Sequence, residues 1–494
     1  MIYDVHCPGS GCIRMRKLAV AALLFFAVTF PSRATTYFLA TAADGGNDSN
    51  NGASATTPWL TPKHSVNCGD VILATPGTSY SYANFTAGQW GNVTCPAGAN
   101  VAWLKCVTFD ACKITSNGGN PGIYVDKSYW GVQGWEVSVT ASTYAGCFLA
   151  APNFGTQASV HHIVFANNIA NGCYAGGLGA GVSGTGSADY IAIVGNIAYN
   201  AAAGRYCYSG IDIYEPIQHD SLPGTHIYIA GNFSFGNFNS DPCGGGIPTD
   251  GEGINIDTLD GSQSKFPTPY SAQVVVENNI VLANGGRGLE VENNSAGSAH
   301  AAVHLRHNTV WGNNLDNHEF GPACSELLVQ NAFNLEIYQN VVASNSATGC
   351  QSNKINAVYV LDTATSTSHI YQDVAYSAGG FNAATMNSPG FSFGTNNLFG
   401  TNPKFANPVA PSAPSCDGFA NVPACMATVI ANFTPTNPSV LAYGYQVPSN
   451  VQTSDPLFPQ WLCNVNLPQG LVTMGCAAAS SQPTTPTLAI VKVQ

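Results

Sequence analysis

One short step recurs along the middle of the chain: Phe165-Ala-Asn-Asn168-Ile, Ile193-Val-Gly-Asn196-Ile, Ile229-Ala-Gly-Asn232-Phe, Val276-Glu-Asn-Asn279-Ile, Leu305-Arg-His-Asn308-Thr and Ile337-Tyr-Gln-Asn340-Val. An alternating strand precedes each step. A further asparagine follows most of them four or five residues on, at Asn200, Asn237, Asn284, Asn313 and Asn345. The six steps are separated by 28, 36, 47, 29 and 32 residues, three of them near the length of one solenoid coil and two longer. Asparagine suits a bend between stacked strands because it tolerates the left-handed region and its amide can bond the backbone of its own turn or of the next coil. Repeated along an axis, such turns form a ladder.

Helical periodicity is almost absent, since Gly, Asn and Thr interrupt each window that would support it. The expected fold is therefore all-β, a right-handed single-stranded parallel β-helix with Asn-rich turns, over residues 98–408. Cysteine spacing agrees with that geometry. Cys68 and Cys95 are 27 residues apart, Cys147 and Cys173 are 26, and Cys324 and Cys350 are 26, each about one coil. One coil returns the chain to nearly the same place, and a disulfide needs Cα atoms only ~4.4–6.8 Å apart. Pairs 68/95, 147/173 and 324/350 are expected on that basis.

The first residues set the compartment. Met15 is followed by Arg16-Lys17, an apolar run from Leu18 to Phe30, and Ser32-Arg33-Ala34. This predicts a secretory signal within residues 1–34 that starts at Met15. The run is too short to span a bilayer, and no later stretch reaches about eighteen apolar residues, so the expected product is secreted, extracellular or periplasmic, with no membrane span. Removing those residues leaves 11 Lys+Arg against 26 Asp+Glu. An acidic chain of this kind lacks the basic footprint that nucleic acid requires. Fourteen cysteines remain, an even number that favours disulfides in an exported protein.

Residues 35–97 read as an N-terminal strand and cap region. Gly69-Asp70 and Pro76-Gly77-Thr78 resemble the opening segment of many exported right-handed parallel β-helix proteins. Asn396 to Phe405 resembles the terminal coil of such solenoids. Residues 409–494 are Pro-rich, and Cys416/Cys425 and Cys463/Cys476 mark them as a disulfide-tied C-terminal cap.

The chemistry gathers where successive coils align on glycine: Gly210-Ile-Asp-Ile-Tyr-Glu, Gly253-Ile-Asn-Ile-Asp-Thr and Gly288-Leu-Glu-Val-Glu-Asn. With the first and third residues after Gly pointing inward, the second and fourth point out. Asp212, Asn255 and Glu290 then form one outward column, and Tyr214, Asp257 and Glu292 the next. Ser209, Glu252 and Arg287 stand just before the glycines. Asp212 to Glu292 holds 11 of the 26 acids, so this face is either a loaded surface or a site. Like charges stacked in a sheet repel, and a cation or a sugar offsets that cost. Hard oxygen ligands favour Ca²⁺ over zinc.

The coil pattern and the acidic face resemble the pectate-lyase-like β-helix superfamily, nearest to polysaccharide lyases of family nine type. The resemblance implies Ca²⁺-assisted β-elimination on a uronic-acid polysaccharide, in which the ion binds the sugar carboxylate and acidifies its C5 proton while a Lys or Arg removes it. On that reading Arg287 and then Lys265 are the base candidates, beside Asp257 and Glu290. Asp212, Glu252, Asp257 and Glu290 hold the metal, and Tyr214, Asn255 and Glu292 contact substrate.

A glycoside hydrolase needs no such base. It needs two carboxyl groups ~5–9.5 Å apart, which Asp212, Asp257, Glu290 and Glu292 can supply. A carbohydrate-binding or adhesive β-helix without turnover is the third reading. The partner in each case is an extracellular polysaccharide, and a monomer is expected. His300, His304 and His307, and His161-His162, read as strand residues entering turns. No nucleophile elbow, phosphate loop or dinucleotide fingerprint is present.

Overall fold

The computed structural model describes residues 34–473 apart from 97–99, 118, 141–145, 154–158, 182–185, 205–206, 240–249, 263–267, 294–300, 317–323, 332–333, 346–355, 362–367, 379–383, 388–390, 443–450, 453–456 and 468–471. The expected signal segment up to Arg33, Lys265, His300, Cys350 and Cys476 lie outside the described residues.

Among the described residues the chain is a parallel β-helix with three long sheets, beside two small two-stranded ones. A first sheet of 12 strands runs from Thr36–Leu39 to Phe391–Phe393, a second of 11 from Gly77–Tyr80 to Leu398–Phe399, and a third of 9 from Ile123–Val125 to Ala384–Asn387. The central coils each contribute one strand to each sheet in turn. The pairing is parallel and mostly in step, as in Ile191↔Ile227 of the first sheet, Ile197↔Phe233 of the second and Ile211↔Ile254 of the third. The first sheet begins at Thr36, within the segment whose sequence reads as an N-terminal cap. There Asp70 accepts from the N–H groups of Thr35 and Asn67, locking the turn that carries Gly69 at φ 88°.

The asparagine steps are the corners between the first and second sheets. Asn232 shows the pattern. Its Nδ2 donates to the Ile193 carbonyl at 2.8 Å and to Asn279 Oδ1 at 3.0 Å, while its own Oδ1 accepts from Asn196 N at 2.8 Å and Asn196 Nδ2 at 3.0 Å. The same bonds link Asn168, Asn196, Asn232, Asn279, Asn308 and Asn340. The left-handed conformation, however, belongs to the residue before each rung: Asn167, Gly195, Gly231, Asn278, His307 and Gln339 all have φ between 54° and 65°. The rung residue is Asn for its amide, and its neighbour absorbs the bend.

A second ladder, Asn237, Asn284 and Asn313, runs at the corner leaving the second sheet. Asn200 is exposed and only makes a left-handed turn, its place in that ladder being taken by the Ala201 N–H.

Inner faces are mainly aliphatic, as in Ile193, Ile229, Ala198, Ile213, Ile256 and Val291, with Trp130, Trp135, Phe148 and Phe165 filling the earlier coils. The outer faces differ between sheets. That of the second sheet carries Ile169, Ile197, Phe233 and Ile280, and it is covered by Phe405, Val422, Met426, Phe433 and Val440 of the C-terminal tail. The first sheet carries Val164, Val194 and Tyr228 outward, covered by Phe458 and Leu462. Burying both faces is the usual state of a parallel sheet. The tail is disulfide-tied as expected, by Cys416–Cys425. It runs back along the flank of the solenoid, where Val422 N donates to Asn167 Oδ1 and Asp417 meets Lys113 at 3.3 Å.

Cys68–Cys95 and Cys147–Cys173 pair as the coil spacing predicts. Cys106–Cys112, closing a corner within one coil, was not among the expected pairs. Cys324 and Cys463 are disulfide-bonded too.

Asn232→Ala leaves the Ile193 carbonyl and two Asn196 donors without their buried partner, so denaturant unfolding should show a loss of about 3 kcal/mol or more. Asn200→Gly, at an exposed left-handed position, should stay within ~0.5 kcal/mol.

Candidate functional site

The third sheet has a polar outer face in its middle. Strands Ile211–Tyr214, Ile254–Asp257 and Leu289–Glu292 pair in the register Asp212↔Asn255↔Glu290 and Tyr214↔Asp257↔Glu292. Period-2 alternation puts Ile211, Ile213, Ile254, Ile256, Leu289 and Val291 in the core, and so turns both polar columns outward. Gly179 precedes Asp212 in the first column, and Leu328 follows Glu290. The polar residues of that column are thus confined to three successive coils, with Asn255 between the two acids.

Outward does not mean exposed here. Asn255, Glu290 and Glu252 are buried, and Asp212, Tyr214, Asp257 and Glu292 are half-buried. The face divides into two halves with different electrostatic solutions. In one, Arg287 Nη1 lies 3.2 Å from Glu252 Oε1 and 3.0 Å from Glu290 Oε2, and Ser209 Oγ donates to Glu252 Oε2 at 2.8 Å. A side chain at Gly286 would meet Glu252 Oε1 at 2.9 Å, so glycine there admits the carboxylate. A guanidinium held between two carboxylates is a fixed counter-charge.

In the other half no Lys or Arg among the described residues pairs with Asp212 or Asp257. Burial pushes the Asp212 carboxyl up to about 8, with Asp250 adding to the rise. Burial likewise drives Asp257 well above the carboxylate range. The Thr258 hydroxyl, 2.5 Å away, opposes that rise, and Asp212, Glu292 and Asp250 reinforce it. Both carboxyls are thereby shifted toward the protonated form. Asp212 Oδ1 and Asn255 Oδ1, on paired residues, are enclosed with no hydrogen-bond partner among the described residues. Tyr214 stands beside Asp257, its phenol also raised by burial.

The structure thus groups Arg287 with Glu252 and Glu290, and separately Asp212, Asn255, Asp257, Tyr214 and Glu292. Of the four carboxylates expected to hold a metal, Glu252 and Glu290 are engaged by Arg287. Among the described residues no group of three or more His, Cys, Asp or Glu is placed to hold a metal ion. The hard oxygens of Asp212 and Asn255 suit Ca²⁺ in kind, but these residues alone do not complete a site.

Asp189 has no signal in its local sequence. Fully buried in the first sheet, it accepts from Tyr190 N, His219 N, His226 Nδ1 and the Tyr270 hydroxyl, the last at 2.6 Å. His219 and Tyr270 lie in the connections that follow the first two site strands. Asp189 therefore pins both. Its partners in those connections are 30 and 81 residues away in sequence, beyond any local pattern. His161 and His162 hydrogen-bond each other through Nδ1 at 2.9 Å within a stack of rings that includes Tyr129, Tyr190 and His219. His304 faces Gln273, and His307 takes a left-handed turn position.

The fold and this face define the class: a parallel β-helix protein with a partly enclosed acidic surface. No protein-family model matches the sequence, and no curated protein matches it. Among solved structures, it is similar to pectate lyase Pel9A, at 17% identity over 78% of this chain and 83% of that one, with a TM-score of 0.36. It is similar also to the A-module of mannuronan C-5 epimerase AlgE4 from Azotobacter vinelandii (12%, 66% and 91%, 0.36) and to the GH136 lacto-N-biosidase from Eubacterium ramulus (11%, 74% and 67%, 0.39). Likeness at this level says nothing about reaction or substrate. No helix among the described residues is long and apolar enough to cross a membrane.

Arg287→Met removes the counter-charge from two buried carboxylates and should cost about 3–5 kcal/mol in denaturant unfolding. A loss below ~1 kcal/mol would mean that Arg287 is not what holds Glu252 and Glu290 in place.

Proposed function

We propose that this protein is a secreted enzyme that cleaves an extracellular polysaccharide on the outer face of the third sheet, by acid–base attack on a glycosidic bond. The observation that carries this reading is the pairing of Asp257 with Glu292 on neighbouring strands, where burial raises the Asp257 carboxyl well above its ordinary value. A carboxylic acid kept neutral near pH 7 is what a general acid must be. Its O–H gives the proton to the glycosidic oxygen as the sugar leaves. Neighbouring strands lie ~4.8 Å apart, which puts the two carboxyls near the ~5–5.5 Å spacing of retaining enzymes. Glu292 then attacks the anomeric carbon, and water releases the sugar with Asp257 returning as base. Tyr214 and Asn255 line the same face for substrate. The disulfides fit an oxidising compartment.

A second reading, Ca²⁺-assisted β-elimination on a uronic-acid polymer, is favoured by the enclosed oxygens of Asp212 and Asn255. These two would hold the ion, which when bound draws electron density from the uronate carboxylate. With Arg287 fixed between two carboxylates, the base on this reading is Lys265.

Incubation with acidic and neutral glycans, with Ca²⁺ or EDTA, separates the two. New reducing ends that survive EDTA and lack unsaturated-uronate absorbance are expected. Absorbance that EDTA abolishes favours elimination, and neither product on a broad panel leaves binding alone. Asp257→Asn should lower turnover by at least ~10²-fold with an unchanged unfolding midpoint. Because the acid form acts, the wild-type rate should fall as pH rises through the elevated folded pKa of Asp257.

A further inference from the structure

Both asparagine ladders meet a carboxyl where the pattern calls for an amide. In the first, Asp373 follows Asn340, and its Oδ1 accepts from Asn340 N at 2.7 Å and Asn340 Nδ2 at 2.9 Å. In the second, Glu326 Oε2 accepts from Asn313 N at 3.0 Å and Nδ2 at 2.7 Å. Each carboxyl thus uses one oxygen as the amide oxygen of a rung. Both residues have 0% exposure, and the other oxygen of each, Asp373 Oδ2 and Glu326 Oε1, is buried with no hydrogen-bond partner among the described residues.

The register of the first ladder shows what the second oxygen of Asp373 faces. In every rung from Asn168 to Asn340, Nδ2 donates to Oδ1 of the next rung and to the carbonyl three residues before the previous one. The next rung after Asp373 is Asn397, whose Oδ1 accepts from Asp373 N at 3.0 Å and whose Nδ2 reaches Ile370 O at 2.9 Å, three residues before Asp373. The position of Asp373 Oδ2 is therefore that of a donor, set between the Asn397 Oδ1 and Ile337 O acceptors. A carboxylate can only accept, and would put a bare charge and a lone pair against two oxygens. A carboxylic acid can donate.

We propose that Asp373, which completes its ladder only as the neutral acid, and Glu326, whose second oxygen is likewise enclosed without a partner among the described residues, are built-in proton-binding sites, so the hold on the last coils of the solenoid depends on pH.

Burial alone pushes Asp373 up to about 8 and Glu326 up to about 7, against the hydrogen bonds from Asn340 and from Asn313 and Gly312 that would lower them. Among the described residues no charged side chain contributes to either rise. Tyr371, on the strand that leads into the Asp373 turn, is the titratable group that senses it, its phenol raised in part by that carboxyl. The sign follows. A carboxyl whose folded pKa lies above its unfolded value adds stability that is fully present below about pH 4 and is lost as pH rises to the folded pKa.

Thermal unfolding of the full chain and of Asp373→Asn, from pH 4 to 9, tests this. The amide restores the donor that six other rungs use. The two midpoints should lie close together at pH 4 and separate as pH rises, with the variant a few degrees higher by pH 8. Asp212 and Asp257 titrate in both proteins and cancel in the difference. Glu326→Gln should behave the same way, with its separation complete near pH 7. Parallel midpoint curves for both variants overturn the proposal, and so does a variant that fails to fold, because an amide should suit either position. Infrared spectra of the folded chain at pH 6 give an independent reading. The carboxylic-acid C=O band should lose part of its intensity in Asp373→Asn, and an unchanged band overturns the assignment.

Discussion

A buried side-chain amide ties each coil of this solenoid to the coils on either side. Asn232 illustrates why the rest depends on it: one side chain satisfies a backbone carbonyl, a backbone N–H and the amides of two neighbours, none of which can reach water. Buried polar groups are costly when unpaired and rigid when fully paired. Repetition of the rung therefore fixes the corner between the first and second sheets in every coil from Asn168 to Asn340. With that corner fixed, the register of all three sheets follows, and so does the stacking of Asp212, Asn255 and Glu290 in one column.

The three sheets share an inner face and differ in what covers them outside. Aliphatic and aromatic outer faces on the first and second sheets require a cover, and the C-terminal tail supplies it with Phe458 and Leu462 on one and Phe433, Met426 and Val422 on the other. The middle of the third sheet carries acids, amide and phenol instead. The same tail that hides two faces thereby marks which face is left for chemistry.

On that face the low local dielectric makes stacked carboxylates expensive, and the chain meets the cost twice. Arg287 neutralises Glu252 and Glu290 by a direct ion pair. Asp212 and Asp257 are instead shifted by burial toward the protonated form. The ladders use the second device again, at Asp373 and Glu326, where a protonated acid does the work of an amide. A chain with few charges thus shifts several of its acids toward the neutral form inside the fold.

Much of this was legible in the residues. The Asn steps marked the corners, and period-2 alternation after Gly210, Gly253 and Gly288 placed both polar columns in their observed register. A spacing of one coil paired Cys68 with Cys95 and Cys147 with Cys173. These features are local or strictly periodic, so they survive being read along one dimension. Four features were not legible: the left-handed bend on the residue before each rung, the wrap of the tail along the flank, Asp189 as the clamp on two connections, and the division of the acids into ion-paired and protonated halves. The sequence by itself determined the solenoid and which residues share a face, because strand alternation and turn chemistry act between near neighbours. Only the tertiary structure decided which of those residues are charged, since protonation depends on burial and on partners brought together from distant coils.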